Sequence, residues 1–543
     1  MPRSPTLTLA GLVVTFCALA GGVWGRGALE AQDQGVIDQY EIFASALAAV
    51  EQTYIGDFES DRLVYGAIAG MLQTLDPHSS FMTPDQFRQM RERQEGRYGG
   101  LGISINVVDG DVTVFNVFEG SPAEGRGLRR GDVIARIEGE NAKGWTSTQA
   151  VEHLRGELGT SVNISIRRVG YDDLIEMAVE RAEVRIPTVP AAVMLDATTG
   201  YIRLQDFGEN TDRELGDALE RLTERGMTRL LFDLRENPGG ALDQAIRVSN
   251  RFLPKGDLIV YTRGRVPNSD QDYHADREGD YLAVPMVTLV NRRSASASEI
   301  VAGALQDHDR SLIVGETTFG KALVQSVYRL AHGAGAAITT AHYYTPSGRM
   351  IQRPWDDSFD EYLTYTLREQ DASASHNPED LEYTDAGRPV YAGGGIEPDE
   401  RIDGSEDGFN PTPFARAIRS RELFEAFAQR FTRRGDARVP PGATRPVQAL
   451  DADFEVTDEM LAQFEELVRQ STTMFDEAAW EADRAYIVAM IHREIDVDLF
   501  GQANAYRNLA RRDPMVRFAI EQFPEAQHLL ELPQEPDSLR VAR

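Results

Sequence analysis

Three serines stand within five positions in the run NRRSASASEI: Ser294, Ser296 and Ser298, just ahead of the apolar helical pattern SEIVAGAL. A serine hydroxyl becomes a nucleophile only where one group takes its proton and others stabilise the oxyanion it creates. Ser296 lies three residues before Glu299, the spacing of a capping box, and that reading alone makes it a structural N-cap. The same position also suits a nucleophile, because a helix start lies at the positive end of the helix dipole. The N–H of Ala297 would then be an oxyanion donor. Both readings select Ser296 over its neighbours; they differ in whether a base is at hand.

Histidine is the usual base, and the chain has nine. The nearest, His308 in LQDHDRS, is flanked by Asp307 and Asp309 and reads as a solvated turn. His78 in DPHSS reads as a capping or packing residue. Lysine is the alternative. Lys321 lies in the otherwise uncharged stretch TTFGKALVQS. In a dry pocket its pKa would fall, since burial disfavours the charged amine, and it could serve a serine as general base. On a surface it would be an ordinary solvated lysine. Gln325, four residues on, is expected on the same helical or turn face, where it could orient the amine. A further piece is DLRENPGG (233–240), a turn at the carboxyl end of an apolar strand, where open α/β sheets place ligands. Gly239 and Gly240 allow backbone N–H groups to face a cleft there; a plain strand-to-helix turn is the other reading.

The elements that must position these residues follow from hydrophobic periodicity. Residues 199–350 alternate near-continuous apolar strands (GYIRLQDF, TRLLFDLR, PMVTLVN) with amphipathic helices, as in a mainly parallel sheet covered on both faces. Residues 98–182 are short strands broken by Gly, Asp and Asn, with one helix, TSTQAVEHLRG. Their Gly-rich opening GGLGI exposes consecutive N–H groups that could hold a peptide carboxylate, unless it is only a hairpin turn. Residues 36–97 read as helical. RRGDARVPPGATRP (433–446) reads as a linker and 447–543 as a charged helical module, with Trp480, Ile487, Met490, Ile491 and Ile495 near one face.

Composition narrows the function further. The chain of 543 residues is 42% hydrophobic and 26% charged, with a net charge of −30. So acidic a surface argues against nucleic acid as a partner, because phosphate contact needs a basic footprint. The single cysteine, Cys17, excludes an intramolecular disulfide. Residues 4–25 are uncharged between Arg3 and Arg26. Residues 1–26 thus fit a signal peptide cleaved near ALA (18–20) or a membrane anchor formed by residues 7–24. Bulky Phe16 before Cys17 speaks against a lipoprotein.

The run YIRLQDF…LLFDLRENPGGALDQA…VNRRSASASEIVAGALQD…VGETTFGKALVQS…YYTPSGRMIQ…GGGIEPD, with GAIAGMLQTLDPHSSFM before it, resembles the C-terminal processing peptidases, or tail-specific proteases, over residues 36 to about 402. GGLGI with GSPAEGRGLRRGDVI resembles a PDZ domain. The resemblance implies an α/β multidomain chain: N-terminal helical segment (36–97), PDZ domain (98–182), crotonase/ClpP-like protease core (183–410) and C-terminal helical extension. It implies a serine endopeptidase with Ser296 as nucleophile, Lys321 (25 residues later) as base and Gln325 assisting. Ala297 and Gly239 would be oxyanion donors. Gly100, Leu101, Gly102, Ile103, Val151 and Leu154 would bind the tail. Ala322, where relatives often carry glycine, is a small departure. No metal or cofactor is implied. The expected partners are proteins with exposed apolar C-terminal tails, an activating adaptor and a second copy held through the N- or C-terminal helices. The expected location is the periplasm. The rival readings are a non-catalytic PDZ scaffold and an enzyme acting on non-peptide acyl groups.

Overall fold

The computed structural model describes residues 38–118, 120–168, 171–355, 362, 364–367, 377–402, 411–433, 450–471 and 475–532. The expected signal or anchor segment and nearly all of the 433–446 linker lie outside the described residues. The chain divides into two compact units, Met1–Pro84 with Val327–Ile338 and Asp85–Ser326 with Thr339–Arg543.

In the first unit a helix over 38–53 is followed by the helix Ser60–Gln73. The DPHSS turn is closed by Asp76, whose carboxylate accepts the N–H groups of His78 and Ser79 at 2.8 and 2.7 Å. Sequence reading makes this region helices on either side of the DPHSS turn, but a short strand, Ser80–Met82, follows the turn and pairs antiparallel with Gly335–Ala337. The unit leaves many large apolar side chains exposed, among them Tyr40, Ile42, Phe43, Tyr54, Ile55, Met71, Leu75 and Tyr328.

The second unit begins with the β-rich module. Its sheet contains Ile103–Val108, Asp111–Val117, Val133–Ile137, Ser161–Arg167 and Ile175–Glu180 in spatial order, with Glu140–Asn141 added beside Val133–Ile137. Alternate residues such as Val162, Ile164 and Ile166 are buried against the helix Ser147–Leu154 through Ala150 and Leu154. That helix opens with a capping box between Thr146 and Gln149. Among the described residues, Ile103–Val108 pairs on one side only, with Asp111–Val117, and so presents an open edge. At the base, Arg97–Gly100 pairs with Ala182–Arg185.

The core is a six-stranded sheet in the order Ala191–Met194, Thr199–Arg203, Arg229–Asp233, Met286–Val290, Leu312–Gly315, Glu400–Arg401. The first pair is antiparallel and the rest parallel. Successive side chains face opposite ways. Leu230 and Phe232 therefore meet the helices Thr211–Glu224, Leu242–Asn250 and Ala297–Asp307, while Leu231 meets the other layer. That other layer is formed by the last described helices. Helices Gln502–Arg512, Pro514–Glu521 and Phe523–Leu529 bury Ala510, Met515, Val516, Ala519, Phe523 and Leu529 against the sheet. The C-terminal extension, whose described helices run from Asp458 to Leu529, is thus not a separate module throughout. Its last third is one face of the core.

The remaining C-terminal helices form their own cluster. Ile487, Met490, Ile491 and Ile495 share the buried face of Arg484–Phe500. Trp480 belongs to the same cluster but sits on a separate short helix, Glu477–Ala482, ended at Asp483. No helix among the described residues is long and apolar enough to cross a membrane.

Candidate active site

The strand Met286–Val290 ends in a tight turn that feeds the helix Ala297–Asp307. Two of the three serines hold that turn together. Ser294 is buried; its hydroxyl donates to the Leu234 carbonyl at 2.8 Å and accepts the Asn291 N–H at 3.0 Å. Ser298 is buried and donates to the Asn237 carbonyl at 3.0 Å. Ser296 occupies the N-cap with φ 55° and ψ −114°, a region that L-residues adopt only when their surroundings force it. Glu299 reaches back to accept the Ser296 N–H at 2.8 Å, half of the expected capping box. Ala297, as the first helical residue, has no intrahelical acceptor for its N–H.

Glu299 does far more than cap. It is completely buried. Its Oε1 accepts the Thr318 hydroxyl at 2.5 Å and the Gly320 N–H at 2.6 Å, and its Oε2 accepts the N–H of Lys321 at 2.9 Å together with that of Ser296. Burial pushes the carboxyl above its usual range, and these four donors oppose the shift. One oxygen therefore joins the backbones of Ser296 and Lys321. Tyr343 does the same from the carbonyl side. Its buried hydroxyl lies 3.1 Å from the Ser296 carbonyl and 2.6 Å from that of Lys321. Burial and the nearby Glu299 charge raise the phenol, so it stays a donor.

Lys321 is half-buried and its Nζ donates to Gln325 Oε1 at 3.1 Å. The expected partnership of these side chains is present, but on another element. Gln325 lies on the strand Leu323–Arg329, not on a helix or turn. An even spacing keeps two residues of an extended chain on one face, so a separation of four serves a strand as well as a helix. Ala322 is buried in the core, and its N–H donates to Gln352.

The NPGG turn abuts the serine. Asn237 organises it, donating from Nδ2 to the Leu204 carbonyl and accepting the Ala295 N–H and the Ser298 hydroxyl on its own carbonyl. Gly239 has φ +98°, and a Cβ there would fall 2.7 Å from the Ala295 carbonyl and 2.8 Å from both Ala297 N and Ser296 Cβ. Only glycine allows this approach. The Gly239 N–H, expected as an oxyanion donor, instead donates to Asn237 Oδ1 at 2.9 Å. The physical reason is local: an Asn side chain readily captures the amide two residues on. Upstream, the buried Asp233 accepts from Tyr201 at 2.7 Å and from both Nε and Nη2 of Arg235, whose Nη1 pairs with Asp513 at 2.7 Å.

His308 departs from its expected setting. It is buried, with Nδ1 2.7 Å from Asp385 and Nε2 2.7 Å from the Leu258 carbonyl. Burial alone would lower its pKa, but Asp385, the Leu258 carbonyl and Asp257 outweigh that and raise it to about 9. It caps the far end of the 11-residue serine helix, roughly 18 Å along the axis from Ser296. The neighbouring Asp307 and Asp309 are buried too, paired with Arg349 and Arg388.

Of the expected tail-binding residues, Gly100, Leu101, Ile103, Val151 and Leu154 line one groove with Tyr98, Ile105 and Arg155, between the open strand edge and the helix. Gly102 is not in that lining; its carbonyl accepts the Phe118 N–H. Glu299 was visible in the sequence only as a cap, and nothing in it pointed to Tyr343 or Asn237.

Residues 198–355 match the model of peptidase family S41, residues 99–179 that of a PDZ domain, and residues 26–86 that of the activating protease CtpB N-terminal domain. The chain is 39% identical over 325 residues to the carboxy-terminal-processing protease of Bartonella bacilliformis, covering 59% of this chain and 74% of that one. It is 31% identical over 349 residues to the carboxy-terminal processing protease CtpA of Bacillus subtilis, covering 64% and 73%. Among solved structures, the photosystem II D1 C-terminal processing protease is 32% identical over 57% of this chain and 89% of its own, with a TM-score of 0.32. With an α/β core, a PDZ domain and relatives that are carboxy-terminal processing proteases, the chain belongs to peptidase family S41, among the serine-type carboxy-terminal processing proteases.

Proposed function

We propose that this chain is an endopeptidase that captures apolar C-terminal tails in its PDZ groove and cleaves them with a Ser296–Lys321 dyad. The observation that carries the reading is the joint anchoring of both residues on Glu299 Oε2, with Lys321 Nζ directed to Gln325. Neutral Lys321 takes the Ser296 hydroxyl proton as Oγ attacks the peptide carbonyl. The Ala297 N–H stabilises the tetrahedral oxyanion. Collapse breaks the C–N bond, the lysine proton passes to the leaving amine, and water activated by the same amine hydrolyses the acyl ester. A second donor from Gly239 requires its N–H to leave Asn237 when substrate binds. That exchange is a route by which a bound tail would activate a resting enzyme.

Apolar tails are favoured by the groove walls Leu101, Ile103, Ile105, Val151 and Leu154, and the unpaired strand edge suits a peptide added as a further strand. The uncharged run 4–25 supports export to the periplasm, by cleaved signal or by anchor. The exposed apolar side chains of the first unit support a second copy or an activating adaptor docking on the N-terminal helices.

Ser296→Ala and Lys321→Ala should each lower cleavage of a tail-bearing protein by at least about 1000-fold, with melting temperature and circular dichroism unchanged. Folded Lys321→Ala that still cleaves would overturn the lysine base. In wild type the rate should climb with pH as the amine loses its proton, and a flat profile would count against the dyad.

A further inference from the structure

Among the described residues, the C-terminal helices meet the PDZ domain around a buried cation. Arg130, in the GLRRGDV loop, has a side chain only 13% exposed. It pairs with Glu494 at 2.5 Å and with Glu425 at 3.4 Å, and its guanidinium lies 5.5 Å from the Phe115 ring centroid. Glu494 is completely buried and also pairs with Arg493. Beside this cluster Asn106 donates to Glu422. Gly131, at φ +79°, brings its backbone so close that a Cβ would fall 2.2 Å from the Gln429 amide. Two helices, Leu423–Arg433 and Arg484–Phe500, thus grip the PDZ domain at a charge pair, a polar contact and a close backbone approach.

Both helices belong to one apolar cluster that includes Phe424, Phe427, Phe464, Ile487 and Ile491. The chain then runs without a break into the helices that cover the second face of the protease sheet. That end is fastened by Arg235 to Asp513 and by Arg511 to the Leu195 carbonyl. The whole module lies beyond the residues matched by the three family models.

We propose that the C-terminal helical module is an intramolecular brace that fixes the PDZ domain on the protease core, with Arg130 as a positioning residue for tail capture. The argument is mechanical and electrostatic. Removing Arg130 strands two buried carboxylates without their shared cation, which opposes closure of that contact. Asn106 sits on the strand Ile103–Val108, whose open edge borders the groove, so the brace holds the element along which a tail would lie. A tail bound in a groove of fixed pose delivers its cleavage point to Ser296 at high effective concentration; a groove that swings does not.

This rests on the tail-capture reading above, and the test separates the two. The full chain carrying Arg130→Met is compared with wild type on a protein bearing an apolar tail and on a short peptide without one. The tail peptide is also titrated by fluorescence anisotropy against each protein carrying Ser296→Ala. The expected result is a KM for the tailed protein raised about fivefold or more. Peptide affinity and turnover of the short peptide should stay within about twofold, and Arg130→Lys should recover most of the KM. Should Arg130→Met fail to fold, Glu422→Ala gives the same split at smaller size. An unchanged or lowered KM for the tailed protein overturns the brace. If wild type binds no tail peptide and cleaves tailed and tail-less substrates alike, the tail-capture reading itself fails.

Discussion

Ser296 shows how a single residue is told apart from two identical neighbours. Ser294 and Ser298 spend their hydroxyls on the Leu234 and Asn237 carbonyls, while Ser296 sits at a strained N-cap facing Gly239. Cap spacing places Ser296 at the N-cap from sequence alone, because helix starts follow local rules. His308 was misread for a related reason. Asp, His, Asp and Arg in succession read as solvent-exposed, yet each has a distant opposite charge or carbonyl that allows burial. Such partners lie tens of residues away and leave no local trace. The buried His308–Asp385 pair makes a testable contribution to stability. Its pKa is raised from 6.5 to about 9, so the stabilisation is complete below about pH 6.5 and is lost as pH rises toward 9. Wild type should lose on the order of a few kcal/mol relative to His308→Gln across that window. Thermal melts of both proteins at half-unit pH steps would reveal it, and parallel curves would rule it out.

At the scale of elements, the decisive contact is between two turns. DLRENPGG leaves the strand Arg229–Asp233, and NRRSAS leaves its parallel neighbour Met286–Val290. Parallel neighbours bring their carboxyl-end turns side by side, which is why residues 55 to 60 positions apart share hydrogen bonds there. Gly239→Ala should therefore damage activity and stability together. Its Cβ would strike Ala295, Ser296 and Ala297 at 2.7 to 2.8 Å on a left-handed backbone. A melting temperature lowered by several degrees, with kcat lost by about 100-fold or more, is the expected outcome in a differential scan paired with peptide hydrolysis. A variant of native stability and activity would show that the close approach is not required. The strand carrying Gln325 carries the same lesson in reverse: the pairing with Lys321 was legible, and the element was not, because a spacing of four is compatible with both periodicities.

Across the whole molecule, the helices between Gln502 and Leu529 complete the core. The apolar face formed by Val193, Tyr201, Leu231, Val287, Leu289, Leu312 and Val314 is closed by residues after 505. Ending the chain at residue 500 would expose that face to water. The truncated protein is expected to be insoluble or molten, whereas Ser296→Ala is expected to be soluble and native. Solubility and dye binding after expression would distinguish them, and a truncated chain with native melting would refute this account of the sheet.

The sequence by itself determined the class of the protein: periodicity gives an α/β core, and the resemblance of its motifs to a known family gives the PDZ domain and the protease class and nominates Ser296 and Lys321. Tertiary structure alone decided that Glu299 and Tyr343 join the backbones of Ser296 and Lys321, that Asn237 holds the Gly239 amide, and that the last described helices serve as a layer of the core and the helices before them contact the PDZ domain. Each depends on burial and on hydrogen bonds between residues far apart in the chain, and side-chain patterning encodes which face is apolar without saying what will cover it.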